Sequence, residues 1–399
     1  MTRSDSSLHA MSRALSRRRL LVLASGATTA LLAACSSTAA PAPSKPAETK
    51  PAETKPAAPA APAASPAAAA SPAASPVASP AAKPAGEAPA LSKPSAQVAA
   101  SQVMNWFAQS SQGGFFAALK NGYYEKQNIK MTNEQGGPQV AAVPLVASGK
   151  HTFGMTSADQ ILLAREEGIP LVMVFGTFQV NPQGLMYHAS KPVKSFEELN
   201  GRKVYVSGAG VFWKVLTAKY KLDKVQQFQY NGQLATFLSD EDNVSQCFVS
   251  TEPTILKSQG KNVGYLLNAD SGFNPYQNAM CCLEDTVKKQ PELVQAYVTA
   301  SLQGWWDFME NPQATLDYLK SDFNKDYDVA IGKEVLAVEK AQLLTGKEGY
   351  DKKKVGLMTD QRWKELYDLM KGVDVIKKDV DYKTAFNSTF IENAHKALA

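Results

Sequence analysis

Thr152-Phe153-Gly154-Met155, then Ser157, then Ala158-Asp159-Gln160-Ile161-Leu162-Leu163-Ala164-Arg165-Glu166-Glu167, then Pro170-Leu171-Val172-Met173-Val174-Phe175-Gly176 is the stretch that decides the fold class. A short apolar run, a capping residue, a helical pattern and a second, wholly apolar run predict strand, helix, strand. Ser157 suits an N-cap, worth about 1 kcal/mol to a helix, and Asp159 in the first turn suits the helix dipole. The run 170–176 is continuously apolar, as expected of a strand covered on both faces.

The alternation extends in both directions. Strands are predicted at 103–107, 203–207, 226–230 and 247–249, and helices at 114–125, 212–219, 234–238 and 253–258. Such alternation implies a mostly parallel sheet covered by helices. From Pro291 onward the pattern is nearly all helical, at 291–309, 312–319, 329–344 and 360–370. Trp305-Trp306, with Leu302, Phe308 and Met309 at helical spacing, reads as a core face. The layout is α/β with a helical C-terminal tail.

The first 98 residues have another texture. Ser16-Arg17-Arg18-Arg19-Leu20-Leu21 opens an apolar stretch to Leu32, and Leu32-Ala33-Ala34-Cys35 closes it. That stretch is shorter than the ~20 residues a membrane span needs. A basic start, a short apolar core and small residues at the cut site describe a secretory signal over 1–34. Its ending resembles a bacterial lipobox, with Cys35 as the lipidated new N-terminus, and its Arg pair resembles a twin-arginine export signal. The segment 35–98, rich in Ala, Pro and Ser, cannot form a packed core and reads as a tether. The expected location is extracytoplasmic, lipid-anchored to the cell membrane.

Residues 1–34 carry five Arg against one Asp, so +4 of the formal net charge of +5 leaves with the signal. The remaining chain is no electrostatic footprint for nucleic acid. Cys247, Cys281 and Cys282 are an odd number of thiols and argue against a full disulfide framework. Each sits in a run suited to a buried strand, which favours inert thiols over a redox pair. His9, His151, His188 and His395 have no metal-ligand spacing, so no metal site and no cofactor are expected.

The order of several motifs carries a resemblance. They are Asn105-Trp106-Phe107 with Gly113-Gly114-Phe115-Phe116-Ala117-Ala118, Gly122-Tyr123-Tyr124, Gly136-Gly137-Pro138, Ala147-Ser148-Gly149 and Phe153-Gly154. Ser157-Ala158-Asp159, Lys194-Ser195-Phe196, Leu199-Asn200-Gly201, Glu252-Pro253 and Gly272-Phe273-Asn274-Pro275-Tyr276 follow. Over about 101–320 this resembles the solute-binding proteins of ABC importers. It is most similar to the family shared by riboflavin and thiamine-pyrimidine-precursor binding proteins and the fungal thiamine-pyrimidine synthase. The resemblance implies a two-lobed, type II periplasmic-binding-protein-like fold with the ligand in the cleft. One lobe would take about 99–185 and 275–399, the other about 186–274, with crossings near 178–183 and 272–276.

Candidate site residues follow from that frame, each beside a plainer role. Trp106, with Asn105, Gly114 and Phe115, could meet the face of an aromatic ligand, or Trp106 could fill the core beneath the cleft. Ser157 and Asp159 could contact a polar rim, or only serve their helix. Trp213, after Gly208-Ala209-Gly210, offers a second stacking face or packs on its own sheet. Glu252 offers a hydrogen-bond acceptor, with Thr251 as cap and Pro253 early in the helix. Tyr230, Asn274 and Tyr276, and Gln179 with Asn181 at the other crossing, could be contacts or hinge packing.

The expected function is capture of a flat heteroaromatic nutrient by a monomer that hands it to a membrane permease. Riboflavin is the first choice of ligand and a thiamine pyrimidine precursor the second. The synthase in the resembling family depends on a run of cysteines that Cys281-Cys282 does not reproduce, so no enzyme is expected. A ligand sensor of the same shape is the remaining alternative.

Overall fold

A computed structural model describes residues 92–399 apart from 138, 139 and 209. The expected signal peptide, the lipidation of Cys35 and the tether up to residue 91 lie outside the described residues.

Among the described residues, ten strands form two five-stranded sheets. The first contains β1 (Val98–Val103), β2 (Ile129–Glu134), β3 (Phe153–Thr156), β4 (Leu171–Phe175) and β10 (Ala279–Leu283), in the order β2-β1-β3-β10-β4. The second contains β5 (Gln183–His188), β6 (Lys203–Val206), β7 (Gln226–Gln229), β8 (Asn243–Phe248) and β9 (Val263–Leu267), in the order β7-β6-β8-β5-β9. The expected parallel pairing holds for β1 with β2 and β3, and for β6 with β7 and β8. It fails at one strand in each sheet. β10 runs against β3 and β4, and β5 runs against β8 and β9.

Those two reversed strands are the first that the chain forms after each passage between sheets. The passages lie side by side, joined by an antiparallel bridge between Phe178 and Gln277. β4, buried at every position, is the fully covered strand its apolar run predicts. β7 (Gln-Gln-Phe-Gln) is exposed at every position and forms the edge of its sheet.

Two predicted elements are corrected. The first strand is 98–103 rather than 103–107, because Val-Ala-Ala-Ser-Gln-Val reads as a continuation of the Ala-rich segment before it. Asn105–Phe107 therefore leaves the sheet instead of ending within it. The helix expected over 114–125 is two: Gly113–Lys120 and Tyr123–Lys126, parted by Gly122 at φ 67°. A left-handed backbone cannot continue a helix, and Gly adopts it without a Cβ penalty.

The tail is helical as expected and ends in a further helix, Thr389–Leu398. Its longest member, Pro291–Glu310, packs against Gly113–Lys120. A Cβ on Gly304 would lie 2.3 Å from the Gly114 carbonyl oxygen, and one on Gly114 would overlap the Trp305 ring. The paired glycines thus set how closely these helices approach. Trp305 is fully buried, edge-on to Phe115 and Phe308. Cys247, Cys281 and Cys282 are buried and free, and burial pushes the Cys281 thiol up to about 12.

Candidate ligand-binding site

A cavity of about 200 Å3 lies between the sheets, and strand direction explains its lining. Asn105, Trp106, Gln109, Ser111 and Gln112 sit in the segment leaving the end of β1. Tyr230 follows the end of β7, Gln246 and Phe248 close β8, and Thr251 and Glu252 open the next helix, Glu252–Ser258. Gln183 starts β5, and Gln277 with Asn278 precedes β10. Because β5 and β10 run backwards, their starts lie beside the ends of their neighbours. The cavity is therefore at the carboxyl edge of both sheets, where α/β folds bind ligands.

Trp106 is half-buried, with its ring edge-on to Phe107 at 5.8 Å. Its carbonyl accepts the Gly136 N–H at 2.9 Å. A Cβ on Gly136 would come within 2.3 Å of the Met104 carbonyl, so only glycine allows the two segments to pass this closely.

Behind the indole runs a chain of carboxamides. Asn278 Nδ2 donates to the Ser111 carbonyl at 3.0 Å. Asn105 Nδ2 donates to Asn278 Oδ1 at 3.0 Å, and Gln112 Nε2 donates to Asn105 Oδ1 at 3.1 Å. Gln112 Oε1 is buried and has no hydrogen-bond partner among the described residues.

The opposite wall is built on Glu252. Its Oε2 accepts the Phe248 N–H at 2.8 Å, and its Oε1 accepts the Tyr230 hydroxyl at 3.4 Å. Burial raises the Glu252 carboxyl above its ordinary value, opposed by those hydrogen bonds. Burial and the neighbouring carboxylate raise the Tyr230 phenol as well, keeping it a donor. Pro253 stands early in the helix, while Thr251 makes no capping bond and its Oγ1 has no partner among the described residues. Among the described residues lining the cavity there is no Lys, Arg or His.

Of the expected site residues, Asn105, Trp106, Tyr230 and Glu252 thus line one cavity. The others sit elsewhere, for identifiable reasons. Gly114 serves helix packing, and Phe115 is wholly buried against Phe175 and Trp305. Ser157 and Asp159 start the Ala158–Glu166 helix next to the second passage, where the Ala158 N–H donates to the Tyr276 carbonyl. Ser157 makes no capping bond there, and burial raises the Asp159 carboxyl. Trp213 is buried in its own lobe, its indole N–H donating to Gln227 Oε1 at 2.8 Å.

Gln179, Asn274 and Tyr276 belong to a hinge knot centred on Arg362 of the tail. The guanidinium donates to the Gln179 carbonyl at 2.6 Å and to the Asn274 carbonyl at 2.9 Å, and lies 3.8 Å from the Tyr276 ring centroid. Asn181 joins the same knot, its N–H donating to Asn274 Oδ1 at 2.8 Å. Burial lowers the Arg362 pKa to about 10.

Sequence reasoning missed Gln109, Ser111, Gln112, Gln183, Gln246, Phe248, Gln277 and Asn278 as lining residues. The available signal was Gln246 directly before the apolar run 247–249, and the Gln277-Asn278 pair directly before the run 279–283.

A model of the NMT1/THI5-like family matches residues 109–315. The riboflavin-binding protein RibY of Chloroflexus aurantiacus is 28% identical over 323 residues, covering 76% of this chain and 89% of that protein. The formylaminopyrimidine-binding protein of Halalkalibacterium halodurans is 21% identical, over 72% of this chain and 88% of its own. Among solved structures, the periplasmic sulfonate-binding protein SsuA of Methylobacillus flagellatus superposes with a TM-score of 0.57 at 16% identity, over 76% of this chain and 95% of that one. The fold is that of periplasmic binding proteins, and the chain belongs to the NMT1/THI5-like family.

Proposed function

We propose that this protein is the extracytoplasmic solute-binding lipoprotein of an ABC importer, holding a flat, uncharged heteroaromatic molecule between its lobes for delivery to a permease. Riboflavin is the first choice of ligand. The reading rests above all on one arrangement: Trp106 from one lobe and Glu252 from the other line the same cation-free cavity. An indole supplies apolar area to a ring face, while the carboxylate and amides orient the rim. A sulfonate or phosphate would be drawn to a cationic pocket, which this lining does not offer. Contacts drawn from both lobes favour the closed arrangement, since only closure makes all of them. The names of RibY and the formylaminopyrimidine-binding protein point to the same ligand chemistry and to binding without catalysis. Membrane attachment through Cys35 rests on the Leu32–Cys35 sequence.

A second reading, a thiamine pyrimidine precursor, is favoured by size. About 200 Å3 is below the ~300–1,000 Å3 typical of sites for drug-sized ligands and suits a single ring better than a fused tricycle. Titration of ligand-stripped protein with riboflavin and with formylaminopyrimidine, followed by calorimetry, separates the two. Saturable riboflavin binding supports the first reading, and binding of the pyrimidine alone supports the second. Binding of neither removes both.

A further inference from the structure

The carboxamide chain behind Trp106 has a fixed polarity. It begins at the Ser111 carbonyl, which can only accept, so the Asn278 atom facing it must be the Nδ2 donor. Asn278 therefore presents Oδ1 to Asn105, which must answer with Nδ2. Asn105 in turn presents Oδ1 to Gln112, which must answer with Nε2. A second constraint agrees, because Gln112 Nε2 also lies 3.4 Å from the Trp106 carbonyl oxygen, another pure acceptor. The last atom of the series is Gln112 Oε1, on a wholly buried side chain that lines the cavity and without a partner among the described residues.

A buried carbonyl oxygen without a donor is costly, and such atoms are rare in folded proteins. Rotating the Gln112 amide would not help, since its oxygen would then face two acceptors. We propose that Gln112 Oε1 is a specificity-determining acceptor for a ring or exocyclic amine N–H on the ligand's rim. This rests on the cavity being the ligand site and deepens that reading. Glu252 lines the same cavity with carboxylate oxygens. The protein thus offers acceptors from both lobes and selects ligands whose edge donates. Rings whose donor nitrogen is alkylated bind more weakly even when their faces stack equally well on Trp106.

The experiment pairs a change in the protein with a change in the probe. Riboflavin has one ring N–H, and 3-methylriboflavin replaces it with a methyl group. Wild-type protein should bind 3-methylriboflavin roughly tenfold or more weakly. Gln112→Met should weaken riboflavin by a similar factor and shrink the penalty for methylation. Equal wild-type affinity for both probes, a measurement that needs no variant, overturns the inference while leaving the functional reading intact. So does a methylation penalty unchanged in a folded Gln112→Met protein. If only formylaminopyrimidine binds, the same comparison is made with its N-dimethylated analogue. Failure of both parent compounds to bind wild-type protein sinks the functional reading and this inference together.

Discussion

The hinge and the cavity are built from the same residue types and differ in how completely those residues are satisfied. In the hinge, the side-chain oxygens of Gln179, Asn181 and Asn274 each accept from Arg362 or from a backbone N–H. In the cavity, the series through Asn278, Asn105 and Gln112 ends in an acceptor without a donor among the described residues. Saturated amides hold a conformation, because breaking one strands its partner in a buried place. An unsaturated one adds no such rigidity and keeps its hydrogen-bonding capacity. Residue identity alone does not tell these uses apart; the partners do.

The sharpest way to test the distinction is to remove the hinge cation. Arg362→Leu strands the Gln179 and Asn274 carbonyls, and should cost roughly 3–5 kcal/mol of stability, read as a large drop in Tm. An unchanged Tm would mean that the hinge is not held by its polar knot.

Glu339 is an intermediate case. It is fully buried on the Val329–Gln342 helix, its Oε1 accepts the Ser250 hydroxyl at 3.3 Å, and its Oε2 has no partner among the described residues. Tyr327 is a titratable neighbour. Burial pushes the Glu339 carboxyl from 4.5 up to about 8, so the folded chain keeps a proton that the unfolded chain releases. Stability from this group is therefore full below about pH 4.5 and lost as pH rises through about 8. Glu339→Gln should flatten that slope and raise stability at pH 8 by up to about 4 kcal/mol, with little change at pH 4. Parallel wild-type and variant Tm curves across that interval would contradict it.

The smallest expected effect is on the cavity side. Trp106→Ala should leave Tm nearly unchanged, because the indole is only half-buried. It should weaken riboflavin binding by about tenfold, close to 1.4 kcal/mol. Superimposable titration curves would remove Trp106 from the site.

Much of the fold was legible in the sequence. β4 announced itself as an unbroken apolar run, and the helix after Ser157 showed its period and its first-turn acid. β5 did not, because it carries Gly184, whose Cβ would lie 2.6 Å from the Leu266 carbonyl. A glycine demanded by a neighbouring strand reads, in one dimension, as a loop. The site divides the same way. Trp106, Tyr230 and Glu252 stood out as an aromatic, a phenol and an acid where strands give way to helices. Gln112 did not, because an amide's meaning lies in Asn105 and Asn278, the latter more than 160 positions away. The glycine pair before Phe115 misled for a related reason: Gly304, its counterpart, lies far along the chain.

The buried sulfhydryls have a practical consequence. With Cys247, Cys281 and Cys282 sealed in the interior, the body of the protein offers maleimide dyes almost no reactive handle. A cysteine introduced on each sheet's outer face would therefore accept a fluorophore cleanly once Cys35 is removed. Energy transfer between the two dyes, measured as candidate ligands are added, would then show whether the distance between the sheets changes.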